Sequence, residues 1–212
     1  TFDEGSGATS GDSAGANTST LVNGPTWVGG KIGNGPVQFD SADDLVNASS
    51  GASLDNLSAM SFSIWANANG TGESTAGYFI QKAGIVGANG WRFNILSNYV
   101  RFNVDYDSTD LSVNAAANTF PSTDYNKWIH WVVTWDGSDS ASNVHIYKNG
   151  TEVSYGTNTD GSTSRQNDNA QSLIIGNDSG GNRTFDGIID DIRIYSRTLS
   201  SSEIKQLYNM GK

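Results

Sequence analysis

Two short stretches set polar side chains at alternate positions among apolar ones. Trp91-Arg-Phe-Asn-Ile95 turns Arg92 and Asn94 to one side of a strand and Trp91, Phe93 and Ile95 to the other. Val100-Arg-Phe-Asn-Val104 repeats the pattern, with Arg101 and Asn103 outward and Asp105 next in line. Ser97-Asn98 can join them as a hairpin, so the two polar pairs come side by side. These side chains suit recognition of a hydroxyl-rich molecule. An amide offers both a donor and an acceptor, and a guanidinium grips a carboxylate or sulfate with two parallel bonds. His130, on the run Trp128 to Trp135, and Tyr147, on Val144 to Lys148, are candidates to join the same face. Two arginines on adjoining strands repel each other unless an acid lies nearby. That acid is either Asp105 or a group on a bound ligand.

The same search finds little catalytic chemistry. Glycosidases use two carboxylates about 5 to 9 Å apart, which strands often supply as Glu-x-Asp-x-x-Glu. That motif is absent, and Glu4, Glu73, Glu152 and Glu203 are scattered along the chain. A lyase needs a His or Tyr base beside groups that neutralise a carboxylate. His130 with Arg92, Arg101 and Tyr147 is the one set that keeps that possibility open. No Ser-His-Asp arrangement and no phosphate-binding glycine loop after a strand is present. The reading is therefore of a protein that binds and does not catalyse.

Composition narrows the partners. The chain has 212 residues, 12 basic and 22 acidic, for a net charge of −10. The acids are overwhelmingly Asp, which prefers turns, caps and hard-cation sites, whereas Glu prefers helices. Nucleic acid is disfavoured, because it selects basic patches. There is no run of 18 apolar residues, so no membrane insertion is expected. The absence of cysteine excludes disulfides and thiolate metal sites, yet fits many secreted bacterial domains. Thr1 begins inside what reads as a strand, so the chain is expected to be a mature or excised domain.

The polar pairs need a scaffold, and the periodicity supplies strands. Val37–Phe39, Phe62–Trp65, Phe79–Lys82, Trp128–Trp135, Val144–Lys148, Leu173–Ile175 and Ile188–Tyr195 all read as strands. Asp136-Gly137 and Asn149-Gly150 are turn signals. Trp65, Trp91 and Trp135 fall on apolar faces and read as core. Trp131 must face opposite to His130, and which of the two lines a groove is left open. Residues 156–171 are polar and read as a long loop within the domain. Near the end, Leu199-Ser200-Ser-Ser-Glu203-Ile204 carries a capping box and an apolar staple, which predicts a short helix. Roughly ten short strands with one terminal helix predict an all-β, two-sheet antiparallel jelly-roll sandwich over residues 1–212 as a single domain.

Several segments together carry a resemblance. They are Phe2-Asp-Glu-Gly-Ser-Gly, Asp12-Ser-Ala-Gly-Ala-Asn17, Gly24-Pro-Thr-Trp-Val-Gly-Gly-Lys-Ile-Gly33 and Val37-Gln-Phe-Asp40. Further along come Phe62-Ser-Ile-Trp65, Ile80-Gln-Lys-Ala-Gly84, Trp128-Ile-His-Trp-Val-Val-Thr-Trp-Asp-Gly137 and Ile146-Tyr-Lys-Asn-Gly150. Phe185-Asp-Gly-Ile-Ile-Asp-Asp-Ile-Arg-Ile-Tyr-Ser-Arg197 is the most specific. In this order they resemble the laminin-G-like, concanavalin A-like lectin domain of bacterial secreted proteins. The resemblance implies a jelly roll, appended to a polysaccharide-degrading enzyme or adhesin, with a structural calcium near the chain ends. It implies no one ligand, because the fold hosts many functions.

Within that resemblance, Asp190 corresponds to an aspartate that ligates calcium at the opening of the last strand. Alternation puts Asp190 on the same face as Ile192 and Ile194, where a lone carboxylate is costly and a metal relieves the cost. Asp12 and Asn17 offer a second bite from a short loop, and Asp3 is a weaker candidate. Asp43 and Asp44 read as solvated loop acids. The expectation is an extracellular, calcium-stabilised carbohydrate-binding module of a larger protein, which holds a polysaccharide or glycan, neutral or anionic, through Arg92, Asn94, Arg101, Asn103, His130 and Tyr147. The alternatives are a protein-interaction or spacer module, and a jelly-roll lyase or hydrolase.

Overall fold

A computed structural model describes residues 2–15, 17–33, 35–85 and 88–212; Thr1 lies outside them. The strands are β1 (Thr9–Ser10), β2 (Ser19–Val22), β3 (Thr26–Trp27), β4 (Val37–Asp40), β5 (Leu45–Asn47), β6 (Met60–Ala68), β7 (Tyr78–Lys82) and β8 (Trp91–Leu96). They continue as β9 (Tyr99–Val104), β10 (Leu111–Asn114), β11 (Trp128–Trp135), β12 (Val144–Lys148), β13 (Thr151–Glu152), β14 (Leu173–Ile175) and β15 (Asp186–Tyr195), followed by helix α1 (Ser201–Met210). The larger sheet has the order β1-β2-β5-β14-β7-β8-β9-β10, and the smaller β13-β12-β11-β6-β15-β4-β3. Every pairing between these strands is antiparallel. The predicted two-sheet sandwich is thus the observed architecture.

The core lies between the sheets and is aromatic. Phe62 of the smaller sheet stacks on Trp91 of the larger at 5.7 Å, and Phe79 on Phe93 at 5.1 Å. Trp131 and Trp135 are fully buried in the same cluster. Full burial of each aromatic contributes on the order of 2 to 3 kcal/mol, so this seam is the main source of cohesion. Trp65 is also buried, but on the opposite side of its strand. It stacks on Tyr208 of α1 at 5.8 Å and takes no part in the inter-sheet cluster.

Helix α1 has the predicted capping box between Ser200 and Glu203. Leu199 and Ile204 pack with Val132 on the outer face of the smaller sheet, and Tyr147, Tyr195 and Leu207 border them. The hairpin from β12 to β13 turns through Asn149 and Gly150 at φ 53° and 77°. Positive φ at both central residues is the requirement of a type I′ turn.

Two differences from the sequence reading matter for the site. Residues 156–171 are not a free loop along their whole length. Isolated bridges pair Thr159 with Ser112, Ser162 with Thr109 and Arg165 with Tyr106, so the segment runs along the β10 edge. Second, two bulges break strict alternation. One, between Tyr78 and Ile80, lets both Phe79 and Ile80 face the core. The other lies between Asp190 and Arg193, with Asp191 at φ 43°. One extra residue in a strand flips every side chain beyond it.

Candidate functional site

The outer face of the larger sheet carries the predicted polar set. Arg92 pairs across the sheet with Asn103, and Asn94 with Arg101. On the other side of β8, Gln81 stands opposite Arg92 and Tyr78 opposite Asn94. Phe93 and Phe102 between them go into the core, as alternation required. Among the described residues the one α-helix lies on the other sheet, so no helix covers this face.

The amides here are buried but only half satisfied. Asn94 is fully buried and its Nδ2 donates to the Ile95 carbonyl at 2.6 Å. Asn103, 4% exposed, donates from Nδ2 to the Leu111 carbonyl at 3.4 Å. Gln81, fully buried, donates from Nε2 to the Ala83 carbonyl at 3.3 Å. Each amide nitrogen is thereby tied to a backbone acceptor, which turns each amide oxygen away. Asn94 Oδ1, Asn103 Oδ1 and Gln81 Oε1 are all buried and without a partner. A buried polar atom left so costs about 1 to 3 kcal/mol, and three such acceptors lie on this one face.

The two arginines part company. Arg92 NH1 donates to Asp105 Oδ1 at 2.7 Å, and Asp105 Oδ2 accepts from the Gly90 N–H at 2.9 Å. Burial holds the Asp105 carboxyl above its ordinary range against the pull of Arg92. The internal acid therefore explains Arg92 but not Arg101. Burial first, and the Arg92 charge second, hold the Arg101 guanidinium below its usual value.

His130 and Tyr147 do not join this face. Both belong to the smaller sheet, on β11 and β12. His130 points outward but is fully buried, between Trp65 at 5.0 Å and Tyr208 at 6.1 Å. Its Nε2 meets Ser63 Oγ at 2.7 Å, and its Nδ1 has no partner. Burial, then the charge of Arg193, push its pKa down to about 4. Tyr147 borders the apolar patch beneath α1. The groove shared by His130 and the arginines is corrected: α1 occupies that outer face, and Trp131 on the opposite side is core. The lyase set is likewise split between the sheets.

Of the expected calcium residues, Asp12 and Asn17 come together, 2.8 Å apart. Asp190 pairs with Trp65 ahead of the bulge, so it lies on the outer face and not with Ile192 and Ile194. Its Oδ2 accepts N–H bonds from Lys31 and Ile32 at 2.9 Å each, and its Oδ1 accepts from Asp191 at 2.8 Å. Burial holds its pKa up, against these three bonds. Three backbone donors offset part of the cost of burying it. Asp12 accepts from Ala14 N–H and from Asn17 Nδ2 at 2.8 Å. Those bonds outweigh its burial and hold its pKa down. Asn17 Nδ2 also reaches Ser53 Oγ at 3.2 Å. Asp3 packs against Gly33, where a Cβ would come within 1.9 Å of Asp3 Oδ1. Asp12 and Asn17 together offer fewer than the six to eight oxygens a calcium ion takes.

Sequence reasoning missed two features. Asp40, Asp43 and Asp44 bring carboxylate oxygens within 4.8 Å of one another in the β4–β5 turn. Asp44 is 3% exposed rather than solvated, and burial, together with Asp40 and Asp43, pushes its pKa up to about 6. Gln81 was hidden by the β7 bulge, since Tyr78-Phe-Ile-Gln shows no alternation. A cavity of about 560 Å³ also opens between the sheets, walled by Leu54, Leu57, Ile175 and Ile194, with Asp12 at its lining. It lies by β1, β2 and β14, away from the amide face.

Comparison with known proteins bears on the fold. The family description "Concanavalin A-like lectin/glucanases superfamily" matches residues 40–205. No curated protein matches the chain in sequence. Among solved structures, the binding domain of Paraclostridial Mosquitocidal Protein 1 superposes with a TM-score of 0.68 at 15% identity, over 95% of this chain and 51% of that one. The botulinum neurotoxin serotype G binding domain gives 0.67 at 20% identity, over 94% and 48%. This chain thus spans about half the length of those domains. Domain 4 of AbnA, an extracellular GH43 arabinanase from Geobacillus stearothermophilus solved with arabinotriose, gives 0.58 at 21% identity, over 93% and 92%.

Proposed function

Because the chain belongs to the concanavalin A-like lectin/glucanases superfamily, we propose that it is a non-catalytic glycan-binding module, acting as one domain of a larger secreted protein. The observation that carries this reading is the set of three unpaired amide oxygens on the outer face of the larger sheet, where no helix packs among the described residues. Sugar hydroxyls are the donors such acceptors lack, and Tyr78 and Tyr99 beside them offer apolar rings with polar tips. Fold neighbours support it: the arabinanase domain was solved with arabinotriose, and the toxin structures are binding domains. An acidic glycan is the finer form of the proposal.

The absence of catalysis rests on the face itself. Its carboxylate Asp105 is spent on Arg92. Glu203 pairs with Arg197 and Glu152 with His145, both away from this sheet face. A calcium ion remains a proposal for fold stability only, and no step of ligand binding runs through it.

Calorimetric titration against neutral and acidic oligosaccharides tests the reading. Binding that weakens at least tenfold in Asn94→Ala and Asn103→Ala, with melting temperatures showing both variants folded, is the expected result. Silence across the panel from folded protein overturns it in favour of a protein-interaction module.

A further inference from the structure

We infer that Arg101, and not Arg92, is the residue by which this face selects an acid group on its ligand; the inference rests on the glycan reading above. Arg92 and Arg101 look equivalent in the sequence but differ in their surroundings. Arg92 has an internal counterion in Asp105, at 2.7 Å. Arg101 forms no ion pair among the described residues, and its Nε is buried without a partner. Its near neighbours are the phenols Tyr78 and Tyr99 and the like charge of Arg92. A half-buried guanidinium beside another cation needs an anion, and no acid among the described residues pairs with it.

The atoms around Arg101 define the rest of the ligand. Asn94 stands directly across the strand pair, with Asn103 two residues further along β9 and Gln81 beyond Arg92 on β7. Three unpaired amide oxygens and one unpaired guanidinium N–H are therefore grouped on one face. A neutral sugar would satisfy the amides and leave the guanidinium. A simple inorganic anion would do the reverse. A sugar with both hydroxyls and a carboxylate or sulfate satisfies both.

The test uses matched pairs in isothermal titration. Galacturonate, glucuronate and mannuronate oligomers are each compared as free acid and methyl ester, and chondroitin sulfate is compared with its desulfated form. The expected result is that at least one acidic member binds tenfold or more tighter than its neutral twin, as a charge-assisted bond implies. Whether the uronate or the sulfate pair shows it identifies the source of the anion. In Arg101→Gln that ratio falls to near one while neutral binding persists, and Arg101→Lys restores only part of it. Equal affinity within every pair, or a ratio that survives in Arg101→Gln, overturns the role of Arg101 and leaves the glycan reading standing. No binding by any glycan, acidic or neutral, overturns both.

Discussion

Protonation of His130 should weaken the fold, and the structure sets the size of the effect. The ring is sealed beneath α1 between Trp65 and Tyr208. A charged imidazolium must donate from both nitrogens, but Nδ1 has no acceptor. Arg193 on β15, one strand beyond β6, adds a repulsive charge. The pKa falls from 6.5 to about 4 in the folded chain. Because the folded value is the lower one, the unfolded chain binds the proton first. Stability is complete above pH 6.5 and drains as pH falls toward 4. At about 1.4 kcal/mol per pH unit, the full window is worth on the order of 3 kcal/mol. His130→Gln can keep the hydrogen bond to Ser63 and cannot titrate. Urea unfolding of both proteins, followed by tryptophan fluorescence at pH 4, 5, 6 and 7, isolates the effect, since other carboxylates cancel in the difference. The advantage of the unmodified chain over the variant should shrink by about 3 kcal/mol from pH 7 to pH 4. Parallel curves would refute the assignment of a buried, neutral His130.

Asp44 should act with the opposite sign in an overlapping window. Its folded pKa of about 6 exceeds its ordinary 3.8, so the native chain binds the proton first and loses stability as pH rises from 4 through 6. Asp44→Asn should therefore gain on the unmodified chain by about 2 to 3 kcal/mol between pH 4 and pH 7.5, measured by the same unfolding curves. Lys82 is fully buried, with Nζ at 2.9 Å from Asp55 and at 2.6 Å from the Asp168 carbonyl. Lys82→Met leaves those groups without their cation and should cost about 3 to 5 kcal/mol in urea unfolding at pH 7; a change under 1 kcal/mol would show the network to be dispensable.

The sandwich was legible because its strands alternate cleanly where the site is built. Trp91 to Leu96 and Tyr99 to Val104 fold with the register their alternation implies, which delivered Arg92, Asn94, Arg101 and Asn103 to one face. The same rule failed at Asp190, where one inserted residue moved a carboxylate to the other side of the sheet. It failed for His130 for another reason. Alternation told that His130 and Trp131 oppose each other, but not that a helix some seventy positions later would cover the outward one. Asp44 escaped because a turn acid reads as solvated until the β4–β5 connection folds it inward. The sequence allows Asp105, thirteen residues on, to pair with either arginine, and the structure assigns it to Arg92.

The most direct measurement is amide NMR of the labelled chain titrated with whichever oligosaccharide binds tightest. The account predicts that shift changes cluster on β7, β8 and β9, with the side-chain amides of Gln81, Asn94 and Asn103 moving most. Changes confined to the α1 face, or to the cavity lined by Leu54 and Ile194, would contradict it.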